Sequence, residues 1–248
     1  MADSFKDHFS KQSTVYRKYR PDHPSELIEY LASLCPEHEL AWDCATGNGQ
    51  AAIKLAKHFD AVYASDASTN QIANAEEHPK ITYAVERAED VSLQDDSVDL
   101  LTVAVALHWF DFDEFYAQAK RVLKPEGIIA VWTYVVPEID PQTDAIINDL
   151  HYKTLDGYWL PENELGLQEY ATVPFPFDLV KTPEFFFRKM MELEDVLGYL
   201  RSWSAVQRYI DKNDVDPLEE TAALLRVVWN DGRAKEVVWR VILKVGRI

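Results

Sequence analysis

From residue 25 to residue 135 the chain alternates two hydrophobic rhythms. Leu27, Ile28, Leu31 and Leu34 recur at helical spacing behind Ser25, a good cap, and Pro36 ends the pattern. An apolar run at 39–43 closes on Asp43, and a helix is expected over about 50–58. The pair then repeats, with a strand at 61–66 closing on Asp66 and a helical stretch over 70–77. Strands at 81–85 and 98–105 follow; the second is a near-continuous apolar run of the kind that parallel sheets bury on both faces. Asp111 can cap a helix whose Phe112, Phe115, Ala119, Val122 and Leu123 share one side, with Glu114 at the capping-box position. Residues 124–127 read as a turn and 128–135 as a fifth strand.

Helix and strand alternating at this spacing make an α/β fold with a mainly parallel sheet and helices on both faces. Beyond Pro137 the regularity falls away. Prolines and aromatics crowd 137–182, where one helix is expected near 143–155. Strands at 183–192 and 236–246 bring the sheet to seven, and helices at 195–209 and 218–229 are expected as an elaboration over the site. Ligands of such sheets bind outside the carboxyl ends of the strands. Asp43, Asp66, the 86–89 segment and His108-Trp109 all fall at those ends.

The stretch from Leu40 to Gln50 runs from strand through a small-residue loop into a helix. Glycines there reach backbone angles closed to other residues, and the next helix offers unpaired N–H groups to a polar ligand. The dinucleotide spacing G-x-G-x-x-G would need small residues at Ala45, Gly47 and Gln50, and Gln50 fails it. The spacing D-x-G-x-G-x-G instead fits Asp43, Ala45, Gly47 and Gly49, with Ala replacing only the first Gly. A tight turn without a ligand is the plain alternative.

Composition narrows the partners. A net charge of −17 over 248 residues argues against a nucleic-acid partner, whose affinity comes mainly from Lys and Arg. Cys35 and Cys44 form no metal or redox spacing, so no metal site and a reduced, cytoplasmic setting are expected. The first eleven residues lack a signal-peptide apolar region, and the longest uncharged apolar run, Leu100 to Phe110, falls short of the ~20 residues of a membrane span.

The order of motifs resembles the class I S-adenosylmethionine-dependent methyltransferases of Rossmann-like fold, small-molecule type, and within them the trans-aconitate methyltransferase-like group. The residues that carry it are 43–49, Ser65-Asp66-Ala67-Ser68, Arg87-Ala88-Glu89-Asp90, residues 106–111 and 121–127, with Tyr19-Arg20-Pro21, residues 200–204 and Val238-Trp239 as outlying pieces. Ala45 for Gly, and Arg87 where many relatives carry an acid, are departures. The resemblance implies one domain over 1–248: a helical cap at 1–37, a cofactor-binding core at 38–135, and a substrate-side elaboration with the last two strands at 136–248.

It also implies roles. The cofactor would be S-adenosylmethionine. Asp43 would face its methionine end or, on the plainer reading, cap the loop. Asp66, beside Ala67, would accept both ribose hydroxyls or cap the next helix. Ala88 would lend a backbone N–H to adenine and Glu89 would accept from its amine, and the backbone at Ala104 and Val105 would meet the methionine amino group. On the acceptor side, His108 could orient or deprotonate a nucleophile, Trp109 and Trp203 could form an aromatic wall, and Arg20 could hold an anion with hydroxyls from Tyr16 and Tyr19. The expected function is methyl transfer to a small molecule, on a carboxylate oxygen. A non-catalytic cofactor-binding or regulatory protein, and a nicotinamide-dependent oxidoreductase, are the alternatives. Segments 10–23, 137–182 and 202–204 are expected to cover the cofactor and shape the acceptor pocket.

Overall fold

The computed structural model describes residues 19–229 and 232–248; Tyr16 and the start of the 10–23 segment lie outside the described residues. Helix α1 (Ser25–Ser33) buries Leu27, Ile28 and Leu31, as their spacing requires. Strand β1 (Leu40–Cys44) then enters the centre of the sheet, and α2 (Gln50–Leu55) follows the glycine loop. Next come β2 (Ala61–Asp66), α3 (Thr69–Ala73), β3 (Ile81–Val85) and β4 (Val98–Ala104). A 3-10 turn at Leu107–Trp109 leads to α4 (Phe112–Val122), where the Asp111 side chain accepts from Glu114 N at 3.0 Å, as a cap should.

Strand β5 is longer than expected. It runs Leu123–Tyr134 and takes in residues 124–127, which form not a free turn but a bulge: Val98 pairs with Leu123 while Leu100 pairs with Ile128. The strands run β3-β2-β1-β4-β5-β8-β6, with β6 (Asp178–Val180) and β8 (Lys235–Arg247); β7 (Phe186–Met191) also pairs with β8. Pairs among β1 to β5 are parallel, and the three pairs made by β8 are antiparallel. The short β6 is an eighth strand that its sequence does not announce. Three residues are too few to show a two-residue period.

Neighbouring residues of the central strands face opposite sides of the sheet, which splits the core in two. Ala41, Leu100, Ile128 and Ala130 pack with α1 and α2, whereas Trp42, Leu101, Ile129 and Val131 pack against α4. At the strands' amino ends buried Asp99 accepts from Glu39 N at 2.8 Å and Leu40 N at 2.9 Å and pairs with Lys124 at 2.9 Å.

The expected single helix at 195–209 is two, α7 (Leu193–Arg201) and α8 (Ser204–Asn213). Trp203 stands at the corner in an extended conformation, packed against Tyr199, Trp159 and His151, while the Ser202 hydroxyl donates to Tyr199 O at 2.6 Å. Burying the indole and satisfying the end of α7 locally turn the chain there. Helix α5 (Pro141–Asp149) continues into a π-helical turn at Leu150–Thr154, and the segment read as irregular also holds α6 (Pro161–Leu167). Helix α9 (Leu218–Val228) precedes β8. No helix among the described residues is long and apolar enough to cross a membrane.

Candidate active site

The loop after β1 takes its shape from three left-handed residues at alternate positions: Ala45 at φ 53°, Gly47 at 58° and Gly49 at 87°. These are the three small-residue slots of the sequence pattern, so the spacing encodes backbone handedness. Ala45 adopts the left-handed conformation that Gly47 and Gly49 also take, at a cost of about 1–2 kcal/mol. The two glycines differ in surroundings. A methyl group on Gly47 would meet nothing within 4 Å, whereas one on Gly49 would stand 2.3 Å from the Tyr83 hydroxyl. Gly47 therefore borders open space at the strand ends, and Gly49 leaves room for the Tyr83 ring.

Asp66 ends β2 and accepts from Gly47 N at 2.9 Å and Ser68 N at 2.8 Å, one on each oxygen. A carboxylate oxygen can accept more than one donor, so hydroxyl groups of a ligand can share these acceptors. Asp43 is more deeply set. It is 1% exposed; Thr102 Oγ1 donates to one oxygen at 2.8 Å and Thr46 Oγ1 to the other. Burial pushes its pKa up to about 6, against the pull of the bonds from Thr46, Thr102 and Ala52 N, and the charge of Asp66 adds to the rise. Both oxygens of Asp43 are thus tied to its surroundings, one to Thr46 of the loop and one to Thr102 of β4, which braces the turn.

The segment after β3 is clamped by Glu89, which accepts from Asp111 N at 3.0 Å and from Arg87 Nε at 3.2 Å. Arg87, the departure from the family pattern, thereby holds the acid in place. Ala88 is buried and Ala67 half-buried. At the end of β4, Val105 is left-handed at φ 57°, a strained conformation for a branched residue. Its N–H donates to Trp132 O at 2.7 Å, so the group it has for a polar ligand is its carbonyl, an acceptor suited to an amino group. Ala104 pairs with Trp132 in the sheet.

Val105, His108 and Trp109 form the inner wall of a cavity of about 310 Å³. Arg20 reaches into it, donating from Nη1 to the Tyr134 hydroxyl at 2.8 Å with its guanidinium over the Tyr134 and Tyr199 rings. Trp203, Trp159 and His151 make an aromatic side, and α8 turns Ser204, Gln207, Arg208 and Asp211 toward the cavity at i, i+3, i+4 and i+7. Arg208 has no hydrogen-bond or ion-pair partner among the described residues. With the histidines neutral, two arginines face one aspartate, so the lining is positive in a protein of net charge −17. His151 Nδ1 and Asn163 Oδ1 are buried beside the cavity without a hydrogen-bond partner among the described residues. Burial lowers the pKa of both His108 and His151 to about 4.

The sequence-chosen residues therefore fall into groups. Asp43, Ala45, Gly47, Gly49, Asp66, Ala67, Ala88, Glu89, Ala104 and Val105 gather at the carboxyl ends of β1 to β4, and Arg20, His108, Trp109 and Trp203 meet in the cavity. Tyr19 is a correction. Its ring sits on Gly198 of α7 and lines a separate hollow with Glu194 and Arg226, because bare glycine surface accepts the flat ring there. Sequence reasoning passed over Tyr134, His151, Asn163, Tyr170 and the α8 face. The α8 stripe was visible as a polar helical face, but every surface helix has one.

A parallel sheet in this order, with a left-handed small-residue loop after β1 and an acid ending β2, invites comparison with known proteins. A protein-family model for a methyltransferase domain matches residues 42–131. A Dictyostelium discoideum protein with a provisional methyltransferase name is 35% identical over 237 residues, 93% of this chain and 90% of that one. The chain belongs to the class I S-adenosylmethionine-dependent methyltransferases, and S-adenosylmethionine is its methyl donor. A solved structure described provisionally as a type II methyltransferase, from Anaeromyxobacter dehalogenans, is similar over 92% of this chain and 98% of its own, at 38% identity and a TM-score of 0.88. A Saccharomyces cerevisiae protein named as an S-adenosylmethionine-dependent methyltransferase is 26% identical over 151 residues, 57% of this chain and 51% of that protein.

Proposed function

We propose that the protein methylates a carboxylate oxygen of a small organic acid anchored by Arg20. The observation that carries this reading is the Arg20 guanidinium in the wall of the cavity that adjoins Val105 and His108. A guanidinium binds a carboxylate through two parallel hydrogen bonds, a geometry lysine lacks. The protein's overall negative charge repels an anion at a distance, but that repulsion is screened beyond ~8 Å at physiological salt. The locally positive lining, with Arg208 on the α8 wall, acts at contact. The motif resemblance to the trans-aconitate methyltransferase-like group supports the same acceptor class.

The strand ends suit the donor. Asp66 ends β2 as an acid that can accept from ribose hydroxyls, Gly47 leaves room beside bare backbone, Ala88 and Glu89 flank the place for adenine, and the Val105 carbonyl can accept from the amino group. When bound, S-adenosylmethionine supplies a methyl group on a positively charged sulfur, open to attack in line with the carbon–sulfur bond. Arg20 holds the acid, Trp109 and Trp203 shield the reacting end from water, and His108 orients the attacking oxygen. A carboxylate is ionised at pH 7 and needs no base, so the rate comes mainly from orientation at ~3–3.5 Å.

The test is turnover against a panel of small mono- and dicarboxylic acids, phenols and amines, with products identified by mass and by the base-lability of a methyl ester. A charged hydrogen-bonded contact contributes about 1.5–3 kcal/mol, so Arg20→Ala should raise KM for the acid roughly 10- to 150-fold and leave affinity for S-adenosylhomocysteine unchanged. Efficient turnover of a neutral or cationic acceptor, untouched by Arg20→Ala, would overturn the carboxylate reading.

A further inference from the structure

We propose that Tyr170 is a positioning residue that fixes His108 as the Nε2–H tautomer, so that His108 gives the methyl acceptor a hydrogen-bond donor and not a base. The inference rests on the reading above that the cavity holds the acceptor. It narrows the acceptor to groups already nucleophilic at neutral pH, such as carboxylates, because the side chain beside the reacting end has no basic nitrogen to offer.

His108 Nδ1 lies 2.9 Å from the Tyr170 hydroxyl, and both residues are buried. Tyr170 is held in place firmly. It and Glu169 are successive left-handed residues, φ 53° and 57°, a conformation that costs about 1–2 kcal/mol at each non-glycine position. Three contacts hold the backbone there: Tyr170 N donates to Leu165 O at 2.9 Å, Lys244 Nζ donates to Tyr170 O, and Arg240 pairs with Glu169. Strain retained under such restraint is the signature of a side chain whose position matters.

Relative acidity gives the tautomer. His108 Nδ1 and the Tyr170 hydroxyl share one hydrogen bond, and in such a pair the phenol is the stronger donor and the neutral imidazole nitrogen the stronger acceptor. The phenol hydrogen therefore goes to His108 Nδ1, and the Thr133 hydroxyl, which lines the same cavity, is the acceptor it would need to turn to in the other tautomer. A neutral imidazole carries one hydrogen, which is left on Nε2. That nitrogen has no hydrogen bond among the described residues, and the ring borders the cavity. Burial keeps the pair neutral, lowering His108 to about 4 and raising Tyr170. The charged groups lining the cavity are Arg20, Arg208 and Asp211, and Tyr116 is the titratable neighbour of Tyr170. The competing arrangement has Nδ1–H donating to Tyr170, the phenol donating to Thr133, and Nε2 left as a base.

Nitrogen-15 spectra of the full chain with labelled histidine distinguish the two, with and without S-adenosylhomocysteine and with His108→Asn to assign the signal. The expected result is an unprotonated Nδ1, a protonated Nε2 and no titration of His108 between pH 8 and pH 5.5. Tyr170→Phe should shift the signal toward a mixture of tautomers, while Thr133→Val should keep the Nε2–H form. A wild-type Nδ1–H form, titration of His108 near its ordinary value, or conversion by Thr133→Val would overturn the proposal. If Tyr170→Phe does not fold, the wild-type and Thr133→Val spectra decide the matter alone. None of these readouts uses an acceptor, so failure of the carboxylate reading is seen separately in the turnover panel.

Discussion

Replacing Asp66 by alanine would expose two tasks of one carboxylate. In the structure it ties the glycine loop to the start of α3 through Gly47 N and Ser68 N. The site is half-buried, so water can reach those N–H groups once the acid is gone, and the cost in folding stability should be about 1–2 kcal/mol. The cost to the ligand is larger. A carboxylate that accepts from two ribose hydroxyls should lose about 2–3 kcal/mol of binding when deleted, or roughly 30- to 150-fold in Kd. Titration calorimetry with S-adenosylhomocysteine measures this directly, with thermal denaturation as the control for folding. A 2′-deoxyribose analogue completes a double-mutant cycle: it should bind more weakly to the wild type and lose less in Asp66→Ala than the full ribose does, because only the 3′-hydroxyl contact is left to lose. A folded Asp66→Ala protein that binds S-adenosylhomocysteine within about twofold of the wild type would refute the assignment.

Other outcomes follow from the same geometry. Gly49→Ala should cost about 2 kcal/mol in urea unfolding, from the left-handed backbone and the displaced Tyr83 hydroxyl, while Ala45→Gly should gain up to about 1 kcal/mol; equal stabilities would contradict the handedness argument. Asp99→Ala removes the acceptor of two backbone N–H groups and a buried partner of Lys124, so a loss of about 3 kcal/mol is expected in the same assay, and less than 1 kcal/mol would sink it. Asp43 has a folded pKa raised to about 6 by burial, above its unfolded value, so its proton is held more tightly in the folded state. Its contribution to stability is greatest below pH 4 and falls as pH rises to about 6. Unfolding free energies across that window should show this fall in the wild type but not in Asp43→Asn, and parallel curves would exclude it.

The sheet and its loop were legible because their signals are local. Leu100 and Leu101 alternate faces in one short strand, the spacing of Ala45, Gly47 and Gly49 is a spacing of left-handed residues, and Asp66 follows directly from the end of its strand. Chain length and apolar period alone carry such information. The antiparallel end of the sheet was read as strands, but the three residues of β6 leave no period to detect, and the break between α7 and α8 depends on where Trp203 finds Trp159 and His151 to pack against.

By itself, then, the sequence determined the order of the central strands and helices, the left-handed loop after β1 and the acids at the strand ends, since each depends on residues a few positions apart. The cavity beside Arg20 was decided by tertiary structure. Arg20 meets Tyr134 across 114 positions, His108 meets Tyr170 across 62, and Arg208 joins them from a helix near the end of the chain. Tyr19 and Arg20 are adjacent in sequence yet serve different surfaces, one on Gly198 and one in the cavity. A side chain's partners at such separations are fixed by how the layers pack, and no local pattern of hydrophobic and polar residues encodes them.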